Sequence, residues 1–186
     1  MSLEFTYIGH SILRKKAARI EHIDQPILDL IKQMKEKVAE RKGLGLAAPQ
    51  VGASLALFIA CFPEEDEQGR MRPGPPCVFI NPTLSEPSNE EWSAEEGCLS
   101  VPKVFAHISR PTGITITYQD EHGKTHTERL KGWPARVVMH ENDHINGVLF
   151  IDRLDSKTKK RLHKEVEHIK KHYRSHNEQV KIWEKI

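Results

Sequence analysis

Long apolar runs are missing from this sequence. No stretch of roughly eighteen apolar residues occurs in its 186 residues, so it offers no helix able to span a bilayer. The N-terminus, Met1-Ser2-Leu3-Glu4-Phe5, has no basic region followed by an apolar stretch, and no secretory signal is expected there. Cysteine is scarce. Cys61, Cys77 and Cys98 are odd in number and show no paired spacing. That argues against a disulfide framework and for a reducing compartment, with the cytoplasm as the expectation. Net charge is small as well. A formal +2 is too little for the whole chain to act as a nucleic-acid binder, and no specific DNA binding is expected. What is present, 38% hydrophobic and 29% charged residues, describes a soluble globular chain long enough for one compact domain.

The first periodic segment predicts a helix. Asp24 precedes Gln25-Pro26, an N-cap followed by a proline in the first turn, and Ile27, Leu30, Ile31, Met34 and Val38 then recur at helical spacing. Lys42-Gly43 is the expected C-cap. Leu55 to Phe62 and Cys77 to Ile80 read as short buried strands, separated by an exposed loop from Glu64 to Pro76. Between Gly113 and Leu130, Ile114, Ile116 and Tyr118 alternate with polar residues, and Asp120-Glu121-His122-Gly123 supplies the turn of a hairpin. Gly132 to Gly147 reads as a largely buried helix. Asp155-Ser156 opens a last helix with Leu162, Val166, Ile169 and Tyr173 on one stripe. There is no βαβ rhythm, so the expected class is α+β: antiparallel or mixed sheets around a central helix, with one helix near each terminus.

The strongest chemical signal lies in the buried helix, as His140-Glu141-Asn142-Asp143-His144. Four residues advance a helix by about 400°, so the two imidazoles fall on one face, about 40° apart, and can reach one metal ion. Glu141 follows the first histidine and can meet a water held there, as a general base would. The alternative is a pair of ordinary histidines. The apolar flanks Val137-Val138-Met139 and Ile145 weigh against it, because buried imidazoles and acids without partners are costly. A catalytic metal site takes three protein ligands and leaves one position open. Cys98, within Glu95-Glu96-Gly97-Cys98-Leu99-Ser100-Val101-Pro102, is a candidate third, with Pro102 expected to end the extended segment. Taken in isolation, Cys98 reads as a buried inert thiol, and Cys61 and Cys77, each within an apolar stretch, are better explained that way. A third segment, Gly43-Leu44-Gly45-Leu46-Ala47-Ala48-Pro49-Gln50-Val51-Gly52, allows close backbone approach to a ligand and offers Gln50 as a donor to an oxyanion. On its own it reads as a packing turn of small residues.

The three segments in this order resemble the peptide deformylase family, whose motifs are Gly-φ-Gly-φ-Ala-Ala-x-Gln, Glu-Gly-Cys-φ-Ser and His-Glu-x-x-His, with φ apolar. The likeness runs from about Ile12 to Leu154. It implies removal of the formyl group from the N-terminal formyl-methionine of new polypeptides, with release of formate. It implies Cys98, His140 and His144 as metal ligands and Glu141 as general base and acid. Gln50 and the backbone N–H of Leu99 would meet the oxyanion, and the Gly45 backbone would hold the substrate. Leu44, Trp133 and Val137 would wall a methionine pocket. Ferrous iron is the implied ion, with zinc, nickel or cobalt also accepted; the N,N,S donor set by itself suggests zinc. Arg110 would pair with Asp143 or Glu96 and orient the ligands, or else stand exposed. Two positions depart from the pattern: Phe105, where the family often has arginine, and Met139, where many members have glutamine. Phe105 leaves open how the substrate beyond methionine is held.

Two other readings are a zinc peptidase of the His-Glu-x-x-His type and a non-catalytic deformylase-like binding protein. The thiol upstream argues against the first, and intact Glu141 and Gln50 argue against the second. Residues 1–154 are expected to form the catalytic domain, with residues 155–186 as a basic helical extension of it. That extension has ten Lys/Arg against five Asp/Glu. It would dock on the ribosome or simply face solvent. His168, His172 and His176 recur every fourth residue there and are read as a solvated face rather than a metal site.

Overall fold

The computed structural model describes residues 3–183; Met1 and Ser2 of the N-terminal segment and the last three residues of the basic extension lie outside it. Helix α1 spans Gln25–Glu40, capped by Asp24, whose side chain accepts from the Ile27 N–H, with Pro26 in the first turn. It ends before the expected cap. Arg41 closes it, and Lys42, not Gly43, takes the left-handed backbone with φ 51. The Gly43 N–H still reaches back to the Val38 carbonyl at 3.1 Å.

Seven strands follow: β1 (Gly45–Ala47), β2 (Leu57–Glu65), β3 (Met71–Ser85), β4 (Glu91–Cys98), β5 (Val101–Pro111), β6 (Gly113–Gln119) and β7 (Thr125–Lys131). All pair antiparallel, as a five-stranded sheet in the order β1-β2-β3-β6-β7 and a separate hairpin of β4 and β5. The continuous apolar run in β2 is explained by burial on both faces. Leu57, Ile59 and Cys61 pack towards the apolar stripe of α1, whereas Phe58 and Ala60 pack towards Val137, Val138 and Ile145 of α2 (Trp133–Ile145). The His-Glu-x-x-His helix is thereby pressed against the face of the sheet opposite α1. Gly147, with φ 72, turns the chain away just after it.

Two expectations are corrected. The segment from Glu64 to Pro76 is exposed, yet most of it is paired: Glu64 stands opposite Arg72 and Glu65 opposite Met71, so only residues 66–70 form a loop. Its prolines hid the strands, and they are accommodated where the register shifts between Cys61 and Pro63. Likewise, Pro102 does not end the extended segment. Pairing jumps from Gly97↔Phe105 to Cys98↔Val101, so residues 102–104 form a bulge and the strand continues to Pro111.

The C-terminal extension contains α3 (Ser156–His172) and a short α4 (Arg174–Gln179), broken at Tyr173, where one helix was expected. Leu162, Val166 and Ile169 pack with Val101, Val104, Ala106 and Ile108 of β5. The extension thus supports the back of the hairpin that carries Cys98. No helix among the described residues is long and apolar enough to cross a membrane.

Candidate active site and metal centre

Cys98 lies at the end of β4, and His140 and His144 lie on consecutive turns of α2. Among the described residues they are the only group of three whose donor atoms, Sγ and two ring nitrogens, converge within 4.8 Å of one another. Cys98 Sγ is 3.2 Å from His144 Nε2. A tetrahedral ion with metal–sulfur and metal–nitrogen bonds of about 2.3 and 2.0 Å would hold a sulfur and a nitrogen about 3.5 Å apart, a few tenths of an ångström wider than the pair stands, so a small opening admits it. The electrostatics fit as well. Burial drives the His144 imidazole well below its ordinary pKa, which keeps it neutral, as a ligand must be. Burial opposes charge on His140 too, but hydrogen bonds to Cys98 and Glu96 outweigh it and raise its pKa to about 10. A divalent cation entering this electron-rich corner would displace that proton. His140 Nδ1 lies 2.9 Å from Glu96 Oε2, which leaves Nε2 directed away from the carboxylate.

Glu96 is the hub of a buried ionic network. Arg110 grips it with two bonds, Nε to Oε1 at 2.6 Å and a terminal nitrogen to Oε2 at 2.9 Å. The other terminal nitrogen donates to Asp143 at 2.9 Å. Arg110 therefore pairs with both acids and is not exposed. Burial alone would raise the Glu96 carboxyl; the Arg110 and His140 hydrogen bonds reverse this and hold it well below the usual carboxylate range. The sequence reading missed Arg136, which adds a bond of 2.6 Å to Glu96, another to the Ile108 carbonyl at 2.9 Å, and one to the Trp92 carbonyl. An arginine one turn before His140 on a buried helix was the available signal, since such a charge needs an acidic partner. Arg153, also missed, donates to Asp143 at 2.6 Å.

Glu141 is 4% exposed, and its Oε2 is buried without a hydrogen-bond partner among the described residues. Burial raises its pKa from 4.5 to about 7. A base in this state works when ionised, and a neighbouring cation would pull its pKa back down. The acid limb of kcat/KM is therefore expected between pH 4.5 and 7, with activity rising as pH rises. A pH–rate profile checks this, and a limb outside that window would count against Glu141 as the base.

Gln50 sits in the short turn after β1, and its amide orientation is determined. Oε1 accepts from the Ala47 N–H at 2.8 Å, so Nε2 faces Cys98 Sγ at 3.5 Å and Ser100 Oγ at 3.3 Å. A donor is thus aimed at the space beside the thiol. Gly45 lies against Glu141: a Cβ built there would stand 2.6 Å from Glu141 Cδ. Glycine is needed here for close approach rather than for an unusual φ. Gly45→Ala is expected to push the carboxyl by nearly an ångström and lower kcat about 100-fold while the chain still folds. Steady-state kinetics with a thermal melt separate that outcome from simple instability.

Gly45, Gln50, Glu96, Cys98, Arg136, His140 and Glu141 border one cavity of about 530 Å³, which Leu44, Leu99, Trp133 and Val137 also line. Val137 is buried, whereas Trp133 is 40% exposed, its ring edge-on to Trp92 at 4.9 Å. Met139 is buried in a small apolar cluster with Ile114 and Ala135, away from the donors. Phe105 is exposed, with its ring over Gly97 at the cavity wall. Among the tail histidines, the His168 and His172 rings stand 6.4 Å apart and His176 bonds to the Phe5 carbonyl, so they do not converge.

A thiol, two imidazoles, a buried unpaired carboxyl and an aimed amide, set in an α+β scaffold, define a hydrolase of the metal-dependent class. A family model described as polypeptide deformylase matches residues 2–160. Curated peptide deformylases resemble the chain closely: that of Synechocystis is 43% identical over 155 residues, covering 83% of this chain and 80% of its own. That of Borreliella burgdorferi is 43% identical over 160 residues, covering 86% and 92%. The solved peptide deformylase of Ehrlichia chaffeensis superposes with a TM-score of 0.82 at 33% identity, over 95% of this chain and 99% of its own. That of Thermotoga maritima gives 0.75 at 37%, over 83% and 99%. The chain belongs to the polypeptide deformylase family, as an enzyme that removes an N-terminal formyl group.

Proposed function

We propose that Cys98, His140 and His144 hold one divalent cation and that Glu141 acts as the base in hydrolysis of N-formyl-methionyl peptides. The observation that carries this reading is the convergence of the three donors beside a buried carboxyl with an unpaired oxygen. The chemistry such a cation supplies is Lewis acidity, which makes water easier to deprotonate and a carbonyl oxygen easier to charge. Glu141 accepts a proton from the attacking water, whose oxygen bonds to the formyl carbon. The oxygen that becomes negative is met by the Gln50 amide and the Leu99 N–H. Glu141 then gives its proton to the leaving amine as the C–N bond breaks, which yields formate and a free N-terminus. The Gly45 backbone holds the substrate main chain, and Leu44, Val137 and Trp133 take the methionine side chain.

Ferrous iron is the proposed native ion, with zinc, nickel or cobalt able to replace it; an N,N,S set accepts each of these. Residues 1–154 form the catalytic unit, and residues 155–186 are an extension of it. The exposed basic residues of α3 are proposed to dock on the ribosome, and the cytoplasm is the proposed compartment. Elemental analysis of anaerobically purified protein, paired with formate release from formyl-Met-Ala-Ser, tests the central reading. Cleavage of an internal peptide bond without formate would replace it with the peptidase alternative. Salt-sensitive co-sedimentation with ribosomes tests the docking.

A further inference from the structure

The cavity extends well past the three donors. Its far end is walled by Phe5, Tyr7 and Tyr173 and carries three cations, Arg41, Lys42 and Lys103. Tyr173 lies beyond the segment 2–160 that matches the family, so the C-terminal extension contributes to the cleft. Its placement is secured by several contacts. The Tyr173 ring stacks on Tyr7 with centroids 3.7 Å apart and planes at 18°. The buried Asn177 side chain accepts from the Tyr7 N–H at 2.9 Å and donates to the Tyr7 carbonyl at 3.0 Å. On its other side the same N-terminal segment is tied to the site: the Thr6 N–H donates to the Gln50 carbonyl and the Ile8 N–H to the Ser100 carbonyl, each at 2.8 Å.

The cations come from the end of α1 and from β5. Arg41 lies over the Phe5 ring, 5.2 Å from its centroid. Lys103 sits in the β5 bulge with φ 65, a left-handed backbone that lysine rarely adopts. Among the described residues, no carboxylate forms an ion pair with Arg41, Lys42 or Lys103. Among the acids on the cavity wall, only Glu95 is exposed. Glu96 is held by Arg110 and Arg136, Glu141 stands at the reacting centre, and Glu95 is opposite His107, on the other side of the Gly97–Phe105 pair from Lys103. Phe105 brings no charge where the family often has arginine. Charge selection along this cleft therefore falls to the three cations.

We infer that this far end is the subsite for the residues after formyl-methionine and that it selects an acidic side chain among them. The inference rests on the deformylase reading above. The stacked tyrosines provide a flat apolar wall, and the three cations gathered on one cleft concentrate its field on an acidic side chain.

The test uses formyl-Met peptides carrying Glu, Gln or Lys at the second or third position after methionine, amidated at the C-terminus so that no terminal carboxylate competes. At low ionic strength kcat/KM for the Glu peptide is expected to exceed that for the Lys peptide by about two- to fivefold per cation engaged. The preference shrinks at 1 M salt, where the screening length is about 3 Å. Lys103→Glu combined with Arg41→Glu inverts the order, while Lys160→Glu, the same change on the exposed face of α3, leaves it intact. Tyr173→Ala raises KM for the longer peptides more than it lowers kcat. Equal kcat/KM for Glu and Lys peptides, or a preference that survives the double reversal, overturns the inference and leaves the activity standing. No formate from any peptide overturns the activity and the inference with it.

Discussion

Replacing Glu141 by glutamine is expected to leave the metal in place and abolish nearly all turnover. The substitution keeps the volume of the side chain and removes its ability to accept a proton. General-base catalysis is worth about 10²–10⁴ in rate, so kcat should fall by at least that range. Glu141 is not one of the three converging donors, so metal content measured by elemental analysis should stay at one equivalent. Stability should respond in the opposite direction. Below pH 4.5 the carboxyl is neutral both folded and unfolded, so it adds no pH dependence. Between 4.5 and about 7 the unfolded chain releases a proton that the folded chain keeps, so stability declines as pH rises, and the decline levels off above that. In chelator-treated protein above pH 7, Glu141→Gln should therefore melt higher than the parent. A variant that turns over near the parental rate would rule out Glu141 as the base.

The second large effect concerns Arg110. Its guanidinium is 2% exposed and joins Glu96 to Asp143. Arg110→Met fills much of the same volume but removes the charge that both acids face. Breaking one side of a buried ionic cluster typically costs about 3–5 kcal/mol. Arg136 still reaches Glu96 and Arg153 still reaches Asp143, which places the expected loss near the lower end. For a chain of this size that is a fall in Tm of about 6–12 °C. Metal affinity should weaken as well, by about 10- to 100-fold, because Glu96 orients His140 through Nδ1. Differential scanning calorimetry and a metal-competition titration read the two effects separately. A Tm unchanged within a degree or two would mean that the cluster contributes no stability.

Both predictions involve residues whose legibility in the sequence differed. Glu141 stood in a pattern with a built-in geometry, since helical periodicity alone puts His140 and His144 on one face. Arg110 could be assigned only as a pairing with one acid or the other, or as an exposed side chain, because a strand residue carries no local sign of what faces it across the fold. Arg136 was missed although its place on a buried helix signalled a need for an acidic partner, and Arg153, in the short turn after α2, carried no such sign. Cys98 was ambiguous until its neighbours were read together with two other segments. The strands around Glu64 to Pro76 were obscured by prolines, which weaken strand signals even where bulges accommodate them. The break at Tyr173 followed an unbroken helical stripe and came without a local warning.

The sequence by itself determined what repeats over a few residues: α1 and its N-cap, the buried apolar run of β2, the hairpin of β6 and β7, and the shared face of the two histidines. These follow from backbone periodicity and from side-chain preferences for particular φ and ψ, which act over one or two turns. Tertiary structure alone decided that the Cys98 thiol comes within 3.2 Å of His144, that one arginine bridges two buried acids, and that Tyr7 stacks on Tyr173 beside the cleft. Such contacts join residues from tens to more than a hundred positions apart. They are set by how helices and sheet pack to bury apolar surface, and that information is spread over the whole chain rather than held in any one stretch of it.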